Sequence, residues 1–256
     1  VGKGGDAVAA GIAAGIIPAG MEMMNRPAIA AVEPFVNAGY DMDAESILLV
    51  ESDGTREEVD EEIAHIEAVL RENGATRLEV SQSDAERHRF WAGRKAAFPA
   101  VGRVSPDYYC MDGTIPRKRL GEVLKAIVAM EAKYGLRCAN VFHAGDGNLH
   151  PLIMFDCNDP DSVLRAEQFG FEILELSIAV GGTVTGEHGV GAEKIHQMCQ
   201  QFDSATLESF FAVKRAFDSA VLLNPGIAIP TLTRCAEYGK MHVHGGQLNF
   251  PDLPRF

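Results

Sequence analysis

The stretch RCANVFHAGDGNLHPLIMFD, residues 137–156, constrains the fold more than any other in the chain. Two short apolar runs flank Gly145-Asp146-Gly147-Asn148, residue types that tolerate the tight reversals and positive φ of a hairpin turn. Strands joined by so short a turn run antiparallel. The sheet that contains them is therefore not a purely parallel, doubly wound one.

The remaining chain alternates apolar runs with helical periodicity. SILLVES, residues 46–52, reads as a buried strand, and TRLEVSQ, residues 76–82, as another strand. Between them Val59, Ile63, Ile66 and Leu70 share one helical face, with Thr55 as N-cap, Glu58 three residues on and Gly74 as stop. A helix is expected from Ser83 or Asp84 to about Phe98, and others over 119–135 and 161–182. The segment DYYCMDGTIP reads as a strand entering a turn. The first 40 residues show small-residue helical patterns interrupted at Pro18 and Pro27. Helical segments over 193–202 and 204–221 precede the breaker NPG at 224–226. Hairpins mixed with single crossover helices predict an α+β fold: a ferredoxin-like α/β sandwich with an antiparallel sheet and a helical C-terminal part. No linker or repeat interrupts it, so residues 1–256 are expected to form one domain.

Composition excludes several functions. The net charge is −13, from 23 Lys+Arg against 36 Asp+Glu, which argues against a nucleic-acid partner. No apolar run reaches the ~20 residues of a spanning helix, and AVAAGIAAGIIPAG lacks the basic flank of a signal peptide. Five cysteines, an odd number without a C-x-x-C pair, favour free thiols and a reducing, cytoplasmic compartment.

Two motifs carry chemistry. In HAGDGNLHP, His143 and His150 are expected nearly opposite each other across the hairpin, where two imidazoles could reach one metal ion. The plainer alternative is a tight turn whose histidines line a surface or satisfy core hydrogen bonds. In GTVTGEHGVG, residues 182–191, Glu187 and His188 lie between glycines. Glu187 could complete a His2Glu site with open positions for a substrate oxygen, and His188 would stand beside it as a general base. The alternative there is a helix-terminal glycine turn with exposed polar residues. A metallohydrolase could use the same donors, but the usual H-E-x-x-H is missing. A non-catalytic interaction module is the other competing class.

HAGDGNLHP and GTVTGEHGVGAEK, separated by a long helix, together resemble the paired signatures of the C-terminal domain of FAD-linked oxidases, the vanillyl-alcohol-oxidase-like flavoproteins. PAGMEMMNRPAIAAVEPFVNAGYDMDAESILLVESDG, YYCMDGTIPR, LLNPG and IPTLTRCAEYGKMHVH extend the resemblance along essentially the whole chain, towards the glycolate-oxidising branch of that family.

The resemblance implies oxidation of a small 2-hydroxy acid, glycolate before D-lactate, by hydride transfer to FAD. It implies His143, His150 and Glu187 as ligands of a divalent metal (Zn, Mn or Fe), with both histidines also facing the substrate. It implies His188 as proton acceptor, Arg94 as the substrate's carboxylate anchor, and flavin-side positions for Asn224, Glu187 and His188. Asp146 and Asn148 would shape the turn. Leu152, two positions after His150, fits a small substrate where relatives acting on a larger dicarboxylate carry a polar residue. Ile227 stands where NPGK is more usual, which removes a cationic contact. His242 and His244 alternate on a possible strand, where they could bind metal but read first as packing or surface residues. Partner subunits, one of them an iron–sulfur protein, would hold the protein at the inner face of the membrane. No glycine-rich pyrophosphate loop is present, so the chain is expected to be the substrate-binding half, inactive without an FAD-binding domain.

Overall fold

The computed structural model describes residues 2–230. The elements are α1 (Gly2–Ala13), β1 (Gly20–Asn25), α2 (Arg26–Val36), β2 (Ser46–Glu51), α3 (Arg56–Glu72), α4 (Asp84–Lys95), α5 (Ala97–Val104), β3 (Asp107–Cys110) and β4 (Gly113–Thr114). There follow α6 (Leu120–Tyr134), β5 (Cys138–His143), β6 (Asn148–Leu149), β7 (Pro151–Phe155), α7 (Pro160–Ala179), α8 (Ile195–Gln201) and α9 (Ser204–Phe217).

Every strand pairing is antiparallel. β2 pairs with β1, β1 with β5, β5 with both β6 and β7, β6 with β4, and β7 with β3. β6 and β7 are one strand interrupted at His150, and β3 and β4 are separated by Met111 and Asp112. Both interruptions sit at the same level of the sheet and mark the site.

Alternation along the strands gives the sheet two apolar faces. Met23, Cys138, Phe142 and Ile153 pack with α1, α6 and α7, through Val8, Leu124, Ile127, Phe169 and Ile173. Met24, Ala139, Val141 and Leu152 pack with α2 and α5, through Ile29, Val32, Ala97 and Val101. Burying side chains of this size stabilises by roughly 1.5–3 kcal/mol each. The α+β class with an antiparallel sheet agrees with the sequence pattern, and helices cover both faces of the sheet. α8 and α9 add a satellite core around Val184, Met198 and Leu207. Among the described residues no helix is long and apolar enough to cross a membrane.

Local signals hold in α3, where Thr55 and Glu58 form a reciprocal capping box. Pro27 does not interrupt a helix: it lies in the first turn of α2, whose N-cap is Asn25. The run GMEMMN just before it is a strand, because tertiary burial of Met21, Met23 and Met24 overrides a helix-tolerant composition. TRLEVSQ forms no strand. The helix expected to reach Phe98 ends at Lys95 and restarts as α5. Cys110, Cys138 and Cys157 are free thiols as expected, whereas Cys199 is disulfide-bonded. His242 and His244 lie outside the described residues.

Candidate active site

One row of residues crosses the sheet at the site. Glu22 on β1 pairs with His143 on β5, His143 with Asn148 on β6, and Asn148 with Thr114 on β4. Asn148, and not His150, is therefore the residue opposite His143. The N–H of Val141 donates to the carbonyl of His150 at 3.2 Å, which sets His150 two residues along, diagonal to His143. Diagonal neighbours on one face remain within reach of ring side chains. The His143 and His150 rings stand edge to face with centroids 5.1 Å apart. Gly147 makes the turn, at φ 75°, with its N–H on the carbonyl of His143 at 3.1 Å.

His150 is 2% exposed, and neither ring nitrogen has a hydrogen-bond partner among the described residues. Burial, then the neighbouring His143 and His188 rings, push its pKa down to about 4. At neutral pH it is a neutral imidazole, the form that can ligate a metal or accept a hydrogen bond. Thr114 Oγ1 and Asn148 Oδ1 are likewise buried without a partner. Unmet polar groups gathered this way are costly unless a ligand meets them.

The second motif folds over these groups as a loop held by one carboxylate. Asp112 is fully buried. Its Oδ2 accepts from Thr185 Oγ1 at 2.6 Å and from the backbone N–H groups of Gly186, Glu187 and His188 at 3.1, 3.2 and 2.9 Å. Buried Lys194 adds Nζ at 3.3 Å. Burial alone would raise this carboxyl group; the bonds from Thr185 and His188 and the charge of Lys194 outweigh it and hold the pKa well below the usual carboxylate range. Gly186 is required by space, since a Cβ there would lie 2.5 Å from Asn148 Oδ1 and 2.6 Å from Thr114 Oγ1.

So wrapped, the loop sets Glu187 among the imidazoles. Glu187 Oε1 lies 3.1 Å from His150 Nε2, 3.5 Å from His188 Nε2 and 3.6 Å from His143 Nε2. The His150 and His188 rings stack with centroids 4.8 Å apart. The four residues of the two sequence motifs thus converge. Asp112, His150, Glu187 and His188 offer potential ligand atoms that all lie within 4.8 Å of one another, with His143 outside the group. Asp112 is committed to the loop, which leaves His150, Glu187 and His188, with His143 at the edge, as the donors available to a ligand. Glu187 and His188 are about half exposed and face the opening.

Arg94 is no solvated helix-face charge. Its side chain is 12% exposed, and its Nε donates to Glu22 Oε2 at 2.8 Å. The other oxygen of Glu22 faces His143 Nδ1 at 2.6 Å. Arg94 therefore joins the site through Glu22. Asn224 does not join it in the described structure: it is an exposed turn residue at φ 44° after α9. Leu152 is buried on the same face as His150 and offers no polar contact. Glu22 and Asp112 were not singled out from sequence. A lone acid in the apolar run GMEMMN and another in YYCMDGTIP were the available signals.

The comparisons with known proteins identify the family. The family described as FAD linked oxidases, C-terminal domain, matches residues 1–227. The glycolate oxidase subunit GlcD of Escherichia coli K12 is 59% identical over 254 residues, 99% of this chain and 51% of that protein. The Bacillus subtilis subunit of the same name is 36% identical over 215 residues, 84% of this chain and 46% of its own. A probable mitochondrial D-lactate dehydrogenase of Danio rerio is 30% identical over 220 residues, 83% and 43% respectively. The chain spans about half the length of these curated relatives. Among solved structures, a 4-ethylphenol oxidase from Gulosibacter chungangensis superposes with TM-score 0.62 at 16% identity, over 84% of this chain and 48% of that one. At that identity the likeness speaks for the fold alone.

Proposed function

This chain belongs to the C-terminal domain family of FAD-linked oxidases, and on that premise we propose that it is the substrate-binding half of a flavoprotein that oxidises glycolate or a similarly small 2-hydroxy acid. The observation that carries the reading is the convergence of His143, His150, Glu187 and His188 near a largely shielded arginine, Arg94, whose terminal nitrogens make no hydrogen bond among the described residues. FAD, when bound by the rest of the protein, supplies the hydride acceptor. Gly189 suits a flat neighbour, since it has φ 83° and nothing within 4 Å of where a Cβ would point.

The residues divide the work by chemistry. Arg94 binds the substrate's carboxylate: its Nε is taken by Glu22, while its two terminal nitrogens make no hydrogen bond among the described residues and form the fork that carboxylates fit. His188 Nε2 takes the hydroxyl proton as the carbon–hydrogen bond breaks. Glu187 beside it stabilises the imidazolium that results. Asp112 keeps both on the loop. Leu152 leaves no polar partner for a second carboxylate, which favours a small substrate.

The donor set also fits a divalent ion. Among the described residues neutral His150 has no hydrogen-bond partner, and Glu187 supplies an anionic oxygen beside it. His143, His150 and Glu187 would hold the ion, which would supply Lewis acidity towards the substrate oxygens. The relatives named glycolate oxidase subunits support assembly with further subunits; the reading adds an iron–sulfur protein among them and, through it, a peripheral position at the cytoplasmic face of the membrane.

Competition between glycolate and D-lactate in the flavin-loaded full-length protein tests the reading. Glycolate should give the higher kcat/KM. A preference for D-lactate would move the protein to the other branch of the family, and turnover of neither would overturn the reading. D-lactate is the second choice because of the relative at 30% identity.

A further inference from the structure

Glu22 stands between two parts of the site that do not touch each other directly. It lies opposite His143 in register, on the face of the sheet that carries Met24. Its side chain is 13% exposed, so it is nearly out of water. A carboxylate in such a place must be paired and hydrogen-bonded or it destabilises the fold. Here each oxygen has one partner: Oε1 with His143 Nδ1 at 2.6 Å and Oε2 with Arg94 Nε at 2.8 Å.

Both contacts have a direction. An ionised carboxylate only accepts, so His143 Nδ1 must carry the proton. In the neutral ring the other nitrogen, Nε2, is then the lone-pair side, 3.6 Å from Glu187 Oε1 and open to a ligand between them. The contact to Arg94 uses the Nε edge of the guanidinium. That fixes the plane of the group and leaves the terminal nitrogens to turn outward.

We propose that Glu22 is the positioning residue of this site, fixing the tautomer of His143 and the orientation of Arg94 with a single carboxylate. The proposal rests on the functional reading above, because it assigns Arg94 to the substrate and His143 to the ligand-facing side. It ties carboxylate recognition to the imidazole cluster: neither can shift without drawing on the same side chain. Glutamine cannot replace it. An amide offers one acceptor oxygen and one donor group, while both His143 and Arg94 present donors, so Glu22→Gln must either break one of the two bonds or force His143 into the other tautomer. Aspartate keeps two acceptors on a stem shorter by one methylene and should rescue in part.

The test uses flavin-loaded full-length protein carrying wild-type Glu22, Glu22→Gln or Glu22→Asp. Nitrogen NMR of labelled histidine reads the tautomer of His143 directly, and steady-state kinetics with glycolate read KM and kcat separately. In the wild type, His143 should be the Nδ1-protonated form. In Glu22→Gln it should become a tautomer mixture, or KM for glycolate should rise by about ten- to a hundredfold, the usual cost of losing a supporting carboxylate. Glu22→Asp should fall between. In an Arg94→Ala background, Glu22→Gln should add little to KM, because the two changes act through one contact. An unchanged tautomer together with a KM effect that simply adds to that of Arg94→Ala would overturn the proposal. So would losses that track only the melting temperature. If wild-type protein turns over neither glycolate nor D-lactate, the functional reading fails, and the tautomer alone then decides the role of Glu22.

Discussion

The two halves of the site are built in opposite ways. His143 and His150 belong to the sheet. Their positions follow from strand register and from the cores packed on both faces of the sheet. Glu187 and His188 belong to a loop of the sequence GTVTGEHGVG whose start bridges β4 between Thr183 and Thr114 and whose Glu187–His188 end is held through Asp112. The first half is fixed by strand register and core packing, the Glu187–His188 end of the second chiefly by one carboxylate. A site so assembled is rigid where it receives ligands and breakable at one point where it supplies the base.

That contrast predicts a ranked set of effects. The largest is at Asp112. Asp112→Ala leaves buried Lys194 and several N–H groups without their acceptor, and breaking a buried pair this way costs about 3–5 kcal/mol. The denaturation midpoint should fall accordingly, and activity should fall with it as the loop loses its anchor. The same residue sets acid stability. Its folded pKa is depressed below the usual 3.8, so its contribution is present above that pH and is lost as pH falls towards the folded value. Stability measured on descending pH should drop there in the wild type and drop less in Asp112→Ala.

Next comes His188. His188→Gln removes a half-exposed side chain, so the fold should be nearly unaffected while kcat falls by about 10²–10⁴, the range for a general base. Gly186→Ala should be milder. Its methyl group collides with Asn148 and Thr114, and overpacking of this kind costs about 1–3 kcal/mol. If the loop is the breakable half, activity should fall more in this variant than in a sheet variant of equal stability loss. The smallest effect is at Thr55, in a helix away from both halves. Thr55→Ala removes a capping box worth about 1 kcal/mol and should leave KM and kcat unchanged.

The same division explains what could be read from the sequence. The hairpin was legible because glycine and asparagine between apolar runs leave few conformations open, and the long amphipathic helices were legible from their period. The two motifs named the four residues that converge. What the sequence could not give was contact between distant segments. GMEMMN is neutral between helix and strand until Met21, Met23 and Met24 find two different cores, and only then does Glu22 face His143. TRLEVSQ carries strand residues but meets no partner edge. The hairpin register fell two residues from the symmetric one, because the turn bonds close on His143 and the strand is interrupted at His150. Asp112 was hidden for a related reason: its importance lies in backbone groups some 75 positions away along the chain, which carry no sequence signal.

The central claim is that the hairpin and the loop make one site that oxidises a small 2-hydroxy acid. Its most direct test is anaerobic mixing of the flavin-loaded full-length protein with glycolate, following the loss of flavin absorbance in wild type, His150→Ala and His188→Gln. The account predicts rapid bleaching in the wild type and bleaching slowed by at least about a hundredfold in both variants, with folding and flavin content unchanged. Equal bleaching in all three would contradict it.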